Sequence, residues 1–181
     1  MNKKTAEFKD LLLAAENGNI DAQCDIGVMY NEGEGIKKDH QEGFRWTKLA
    51  ADRGDKVAQY NLGRMYRNGE GVKKNNVKAF VLYKLAADQE FSPAQNDVAN
   101  LYKHGIGTAQ NDLLAFKYFR LATDQGDILA RCNLARLYAS GTGVKKDLEK
   151  AIRLTESATI TGSREAFDLL YILIKMQNNG N

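Results

Sequence analysis

The chain has 181 residues, of which 43% are hydrophobic and 27% charged, an ordinary globular balance rather than a disordered one. Its formal net charge is only +3, so the total does not point to non-specific nucleic-acid binding. No apolar run approaches the ~20 residues of a membrane span, and two cysteines, Cys24 and Cys132, do not make a disulfide framework.

The chain opens Met1-Asn2-Lys3-Lys4, as a signal peptide can, but Glu7, Lys9 and Asp10 interrupt the apolar stretch such a peptide needs. A cytoplasmic protein is therefore expected. Ala14-Ala15-Glu16-Asn17-Gly18 closes a first helical segment, and residues 1–21 form an N-terminal half unit. From Ala22 the chain registers on itself without gaps at a shift of 36 residues. Ala22, Ala58, Ala94, Ala130 and Ala166 share one position; Tyr30, Tyr66, Tyr102 and Tyr138 share another; Ala50, Ala86, Ala122 and Ala158 share a third. A fixed period of this size is the mark of a solenoid. The predicted units are 22–57, 58–93, 94–129 and 130–165, with 166–181 as a C-terminal helix and tail.

Each unit reads as two helices. In the first, Ala58, Leu62, Met65 and Tyr66 stand at i, i+4, i+7 and i+8, one apolar stripe. Gly63 and its equivalents Gly27, Ala99 and Ala135 leave room for a second helix to come close. A G-x-G pair comes next, at Gly33 and Gly35, Gly69 and Gly71, Gly105 and Gly107, and Gly141 and Gly143. It ends the helix, because glycine accepts the left-handed conformation that a helix C-terminus favours. Asp39, Asn75, Asn111 and Asp147 then arrive in register to cap the second helix. That helix carries Ala79, Leu82, Tyr83, Leu85 and Ala86 on one face. It stops at Gly54, Gly126 and Gly162, and Asp55, Asp127 and Ser163 cap the first helix of the next unit. In 58–93 Glu90 replaces the glycine, and Ser92-Pro93 reads as a cap followed by proline, so this junction is expected to be the least regular.

The run Leu62-Gly63, Tyr66, Gly69, Gly71-Val72, Lys74, Ala79 and Ala86-Ala87 resembles the Sel-one-like repeat family, a relative of the tetratricopeptide repeats. The likeness covers Ala22 to Glu165 as four repeats. It implies an all-α, right-handed superhelical solenoid of helix-turn-helix repeats whose first helices line a concave surface. It also implies adaptor or scaffold work. Some cysteine-rich secreted relatives carry a disulfide within each repeat, and this chain lacks those pairs.

Little in the sequence points to catalysis. His40 and His104 lie in different repeats at different positions and read as surface-loop residues. Cys24 and Cys132 share a position three units apart; helices stacked at ~8–10 Å place them on the order of 30 Å apart. No Cys/His group has zinc spacing, and the G-x-G pairs terminate helices rather than cradle phosphate. No enzyme activity, cofactor or metal is expected. The pairs Lys37-Lys38, Lys73-Lys74 and Lys145-Lys146 read as solvated loop residues.

The third, fourth, seventh and tenth positions of each first helix fall off the apolar stripe, and by the resemblance they line the groove. Tyr60, Asn61, Arg64 and Arg67 hold them in one unit, Asn96, Asn100 and Lys103 in the next, and Asn133 and Arg136 in the last. Arg offers a fork of donors and Asn both donor and acceptor, which suits a protein or peptide partner. The expected function is a protein–protein interaction module, with no nucleic acid and no membrane. The alternatives are a toxin-neutralising immunity protein and, further behind, a hydrolytic enzyme. At the C-terminus Phe167, Leu170, Leu173 and Ile174 continue the inward stripe, leaving Leu169, Tyr171 and Ile172 on a flank. Exposing large aliphatic side chains is costly. The flank is expected to be covered, either by the last repeat or by a second copy in a weak homodimer through Leu169 and Ile172.

Overall fold

The computed structural model describes residues 3–179, with side chains from 6 to 178; Met1, Asn2, Gly180 and Asn181, at the tips of the two predicted end segments, lie outside the described residues. Among the described residues there are ten α-helices and no strand. They run α1 (Lys3–Glu16), α2 (Ile20–Glu32), α3 (His40–Asp52), α4 (Lys56–Asn68), α5 (Asn76–Asp88), α6 (Ser92–His104), α7 (Asp112–Asp124), α8 (Ile128–Ser140), α9 (Leu148–Thr159) and α10 (Arg164–Asn179). The fold is an all-α repeat of the solenoid type, in two compact units, Met1–Phe91 and Ser92–Asn181. Within the first, each of α1 to α5 packs on its chain neighbour. Within the second, α6 to α10 do the same, and α10 also touches α8.

The caps sit where the register places them. Asp55 and Asp127 accept from Ala58 N and Ala130 N, at 2.6 and 2.8 Å, and Asn19 does the same for Ala22 N. Asp39, Asn75, Asn111 and Asp147 cap the second helices. Each of these four also donates its backbone N–H to the tyrosine at the end of the preceding first helix, as Asn75 N does to Tyr66 O at 2.8 Å. One residue thus ends the turn and starts the next helix. That satisfies groups a helix end otherwise leaves open.

Two ladders tie the repeats together. Phe8 meets Tyr30, Phe44 meets Tyr66 and Phe116 meets Tyr138, edge to face with centroids 5.3 to 5.6 Å apart. Each pair joins a second helix to the first helix that comes after it, in a geometry aromatic rings favour. The other ladder is polar. Gln23, Gln59 and Gln95 are buried at the second repeat position. Gln23 Nε2 donates to Ala15 O, and Gln59 Nε2 to Ala51 O. Gln89 and Gln125 donate in turn to the carboxamide oxygens of Gln59 and Gln95, at 2.8 and 2.7 Å. The buried carboxamide oxygens of Gln59 and Gln95 are thereby paired, as burial favours, whereas that of Gln23 is buried without a hydrogen-bond partner.

The junction after α5 is irregular, as expected, but not by the expected route. Glu90 takes a φ of +59°, the left-handed conformation that glycine holds at Gly54 and Gly126. Ser92 is no cap: it is the first residue of α6, and its buried hydroxyl has no hydrogen-bond partner. The 36-residue register puts Phe91, not Ser92, in the slot of Asp55 and Asp127. Phe91 instead stacks edge-on against Tyr60.

The two glycines of each G-x-G pair do different work. Gly69 (φ +83°) caps α4, and a Cβ there would meet nothing nearer than 3.6 Å. A Cβ on Gly71 would lie 1.9 Å from the backbone oxygen of His40. Gly69→Ala should therefore cost only the conformational strain, about 1–2 kcal/mol. Gly71→Ala should cost clearly more, because a backbone carbonyl has to move. Thermal unfolding of the two variants checks this, and equal melting temperatures would contradict it. Glu90→Gly should stabilise the chain by about 1 kcal/mol, read as a raised denaturation midpoint.

Candidate functional site

The close approach of first and second helices leaves the third, fourth, seventh and tenth positions of each first helix off the seam between the pair, although Cys24, Cys132, Ala139 and Leu169 at these positions are buried. In the first unit Arg64 and Arg67 are exposed and Asn61 is half-buried on α4. Among the described residues neither guanidinium has a hydrogen-bond or ion-pair partner. Arg64 and Asn61 border a cleft of about 70 Å³ between α2 and α4, floored by Gly27 and Thr47 and closed by Asn31, Glu32 and Glu70. Asn31 fixes one side: its amide donates to Glu70 Oε2 at 3.4 Å, and its oxygen pairs with Nδ1 of His40. Asn68 holds the other oxygen of Glu70 at 3.0 Å. The cleft thus offers a free guanidinium and a half-buried amide beside a carboxylate already held in place.

Tyr60 is not the free aromatic that its position suggests. Its ring packs on Tyr83 and Phe91, with centroids 5.4 Å from each. In the second unit the polar positions are tied to one another. Asn133 Nδ2 donates to Asn96 Oδ1, and Asn100 Nδ2 to the backbone oxygen of Asn96. Arg136 donates to Asn133 Oδ1 and, through its other nitrogen, to Glu165, both at 2.9 Å. Lys103 is half-buried on the same helix as Asn96 and Asn100. The sequence reading missed Glu70 and Glu165. Glu70 was within reach, since it is the middle residue of Gly69-Glu70-Gly71, a turn that brings it beside the first helices. Glu165 carries no such signal.

The thiols are inert. Burial, then Asp55 and Asp25, pushes Cys24 up to about 12, and burial followed by Glu165 raises Cys132. Both are buried and free. Among the described residues no group of His, Cys, Asp and Glu is placed to hold a metal ion, and no helix is long and apolar enough to cross a membrane.

The family model for the Sel1 repeat matches residues 20–55, 56–91, 92–127 and 128–159. The chain belongs to the Sel1 repeat family. Among solved structures, a protective antigen present in uropathogenic Escherichia coli strains, with an SLR fold, is 33% identical with a TM-score of 0.85. The match covers 96% of this chain but 37% of that one, so the Sel1 chain spans little more than a third of the antigen. A Sel1 repeat protein from Oxalobacter formigenes is 31% identical with a TM-score of 0.82, over 92% of this chain and 74% of that one. An immunity protein from Pseudomonas aeruginosa, 22% identical with a TM-score of 0.61 over 92% of this chain and 61% of its own, shares the fold. No curated protein matches. Sel1 repeats are protein-interaction modules as a family.

The expected flank divides: Leu169 is covered by the last repeat, one of its two expected routes, and Ile172 is not. Leu169 is 6% exposed and belongs to the core with Ala166 and Leu173, whereas Ile172 is 52% exposed. The two do not share a face. The fourth repeat position packs on the preceding first helix, as Asn61 does toward Cys24 and Asn133 toward Asn96. Leucine at that position in α10 is therefore inside. The exposed apolar residues of α10 are instead Phe167, Tyr171, Ile172, Ile174 and Met176. Leu169→Glu should lower stability by about 3 kcal/mol or more, since it buries a charge in the core. Ile172→Glu should change it by less than about 0.5 kcal/mol. Denaturant titration separates the two, and equal losses would return Leu169 to the flank.

Proposed function

We propose that the Sel1 chain is an adaptor that binds a partner protein through the exposed face of its first helices, with Arg64 and Arg67 as the charged contacts. The observation that carries this reading is the pair of unpartnered guanidinia on α4, one of them beside the cleft of Asn31, Asn61 and Glu70. A free guanidinium presents a planar fork of donors that a carboxylate or a backbone carbonyl can fill. Asn61 adds a donor and an acceptor at half-burial, where each hydrogen bond discriminates more than in open solvent. In the second unit Asn96, Asn100, Lys103, Asn133 and Arg136 hold the corresponding positions. The hydrogen bonds among the asparagines and Arg136 make a shaped polar surface rather than a set of free donors.

The test is capture from the native cell with tagged wild-type chain and two charge variants. Arg64→Glu with Arg67→Glu should keep the helical spectrum and lower recovery of the wild-type partner at least ~10-fold, the loss of about 1.4 kcal/mol or more that two charged contacts can supply. Lys73→Gln with Lys74→Gln should recover it nearly as well as wild type. If the lysine variant is the damaging one, recognition runs along the loop edge and the first-helix assignment is wrong. A toxic enzyme as the recovered partner would turn the reading to neutralisation through the same face.

A further inference from the structure

A groove in the first unit corresponds, one repeat earlier, to the cleft that α2 closes against α3 and α4. Between α1 and α2 lie two adjoining depressions, of about 690 and 260 Å³. Their shared walls are Glu7 and Leu11 from α1 and Asp25 from α2, and Val28, Met29 and Glu34 line the smaller one. One repeat later, Leu11, Asp25, Val28, Met29 and Glu34 become Thr47, Asn61, Arg64, Met65 and Glu70. Those residues line the Arg64 cleft, whose opposite wall is α2 itself: Gly27, Val28, Asn31 and Glu32. The α1–α2 groove is thus the same site, open among the described residues where α2 closes the next one. What fits it is a helix with one apolar face.

Charge selects which helix. Asp10 joins Glu7 and Asp25 on the larger depression, and no lysine or arginine lines either one among the described residues. Residues 1–35 hold seven carboxylates against three lysines, in a chain whose total is +3. Asp25 already feels this crowding: burial, then Asp21 and Asp55, hold its carboxyl above the usual range. The floor is apolar, with Leu11 half-buried, Val28 partly exposed and Met29 in the core.

We propose that the groove between α1 and α2 docks a basic amphipathic helix of a partner protein, its Lys or Arg residues paired with Glu7, Asp10 and Asp25 and its apolar face on Leu11, Val28 and Met29. A second copy of this chain is the poorer occupant. Its α10 is a first helix, but it brings Tyr171 to the position where α2 and α4 bring Gly27 and Gly63, and that position would meet Glu7. The site shares only Val28 with the Arg64 cleft and has the opposite charge, so the two proposals, tested at different residues, fail independently.

The probe is a short fluorescent helical peptide with one leucine face and one lysine face, measured by anisotropy against the whole chain. It should bind saturably at one per chain, weaken as salt rises, and lose affinity at least ~10-fold on Glu7→Lys with Asp10→Lys. Arg64→Glu with Arg67→Glu should leave it bound. Glu149→Lys with Glu156→Lys changes the net charge equally in the second unit and should change affinity less than ~2-fold. Equal weakening by the two lysine variants would reduce the effect to bulk charge and overturn the proposal. Binding of a leucine–glutamate peptide with the same affinity would overturn it too, as would no binding at millimolar chain. Light scattering that shows oligomers dissolved by Glu7→Lys with Asp10→Lys would assign the groove to a second copy instead.

Discussion

Everything in each unit depends on how closely the first and second helices of a repeat approach. A Cβ on Gly27 would stand 2.3 Å from Thr47 Oγ1 and 2.9 Å from the backbone nitrogen of Thr47; one on Gly63 would stand 2.9 Å from the Tyr83 ring. Helices this close pack at the short end of the usual ~8–10 Å range. The second helix answers with its own small residue: Gly43, Ala79, Ala115 and Ala151 share one position, and all are buried. Once the pair is closed, the tyrosine at the end of the first helix is held against the phenylalanine of the preceding second helix. The capping residue can then donate to that tyrosine's carbonyl. The face left to solvent is fixed by the same contact, because it is whatever the close pair and the next helix do not cover.

That constraint explains what the sequence showed and what it hid. The period, the helix pairs, the left-handed glycines and seven of the caps, Ser163 among them, come from local chemistry repeated in register, and they are legible in the sequence. Position two was not. Gln23, Gln59 and Gln95 recur visibly, yet residue type alone does not mark them as buried, and for Gln59 and Gln95 only the partner amides Gln89 and Gln125 show why burial is tolerated. Ser92 failed for the converse reason: a good capping residue stood one place past the slot, and register outranks residue type. Leu169 failed because the stripe was drawn from contacts between the two helices of one repeat. Contacts between successive first helices bury the fourth position as well, a fact that half-buried asparagines at Asn61 and Asn133 conceal.

The same contacts sort the polar face into two kinds of surface. Where successive first helices carry complementary groups, as Asn96, Asn133, Arg136 and Glu165 do, the side chains bond along the stack. They stiffen the face and lose freedom to meet a partner. At Arg64 and Arg67 no such bond forms, although Glu32 and Glu70 line the same cleft as Arg64, and the charges stay open to solvent. Position on the exposed face of a first helix therefore does not by itself leave a side chain free. What decides is whether the step of one repeat brings a partner from within the chain.

The two end helices break the pattern of small residues at the closest contact. Tyr171, 62% exposed, stands in α10 where Gly27, Gly63, Ala99 and Ala135 stand in the other first helices. Glu7 stands in α1 where Gly43, Ala79, Ala115 and Ala151 stand in the second helices. Both replace a buried small residue by a large one at the point of closest approach. A helix laid on α10 at the spacing of the internal pairs would have to occupy the volume of the Tyr171 ring, over which Lys175 already sits at 4.5 Å. A helix laid on α1 would have to accept a carboxylate at its tightest contact. Neither helix therefore offers the small residue that makes the ordinary close contact. They differ in what they still accept: α10 offers an aromatic and aliphatic flank with a cation at its edge, and α1 an apolar floor with a rim of carboxylates. The residues that depart from the repeat at α1 are the same ones that give its groove a charge preference, so one departure from the repeat pattern both removes the ordinary close contact and defines what can dock there.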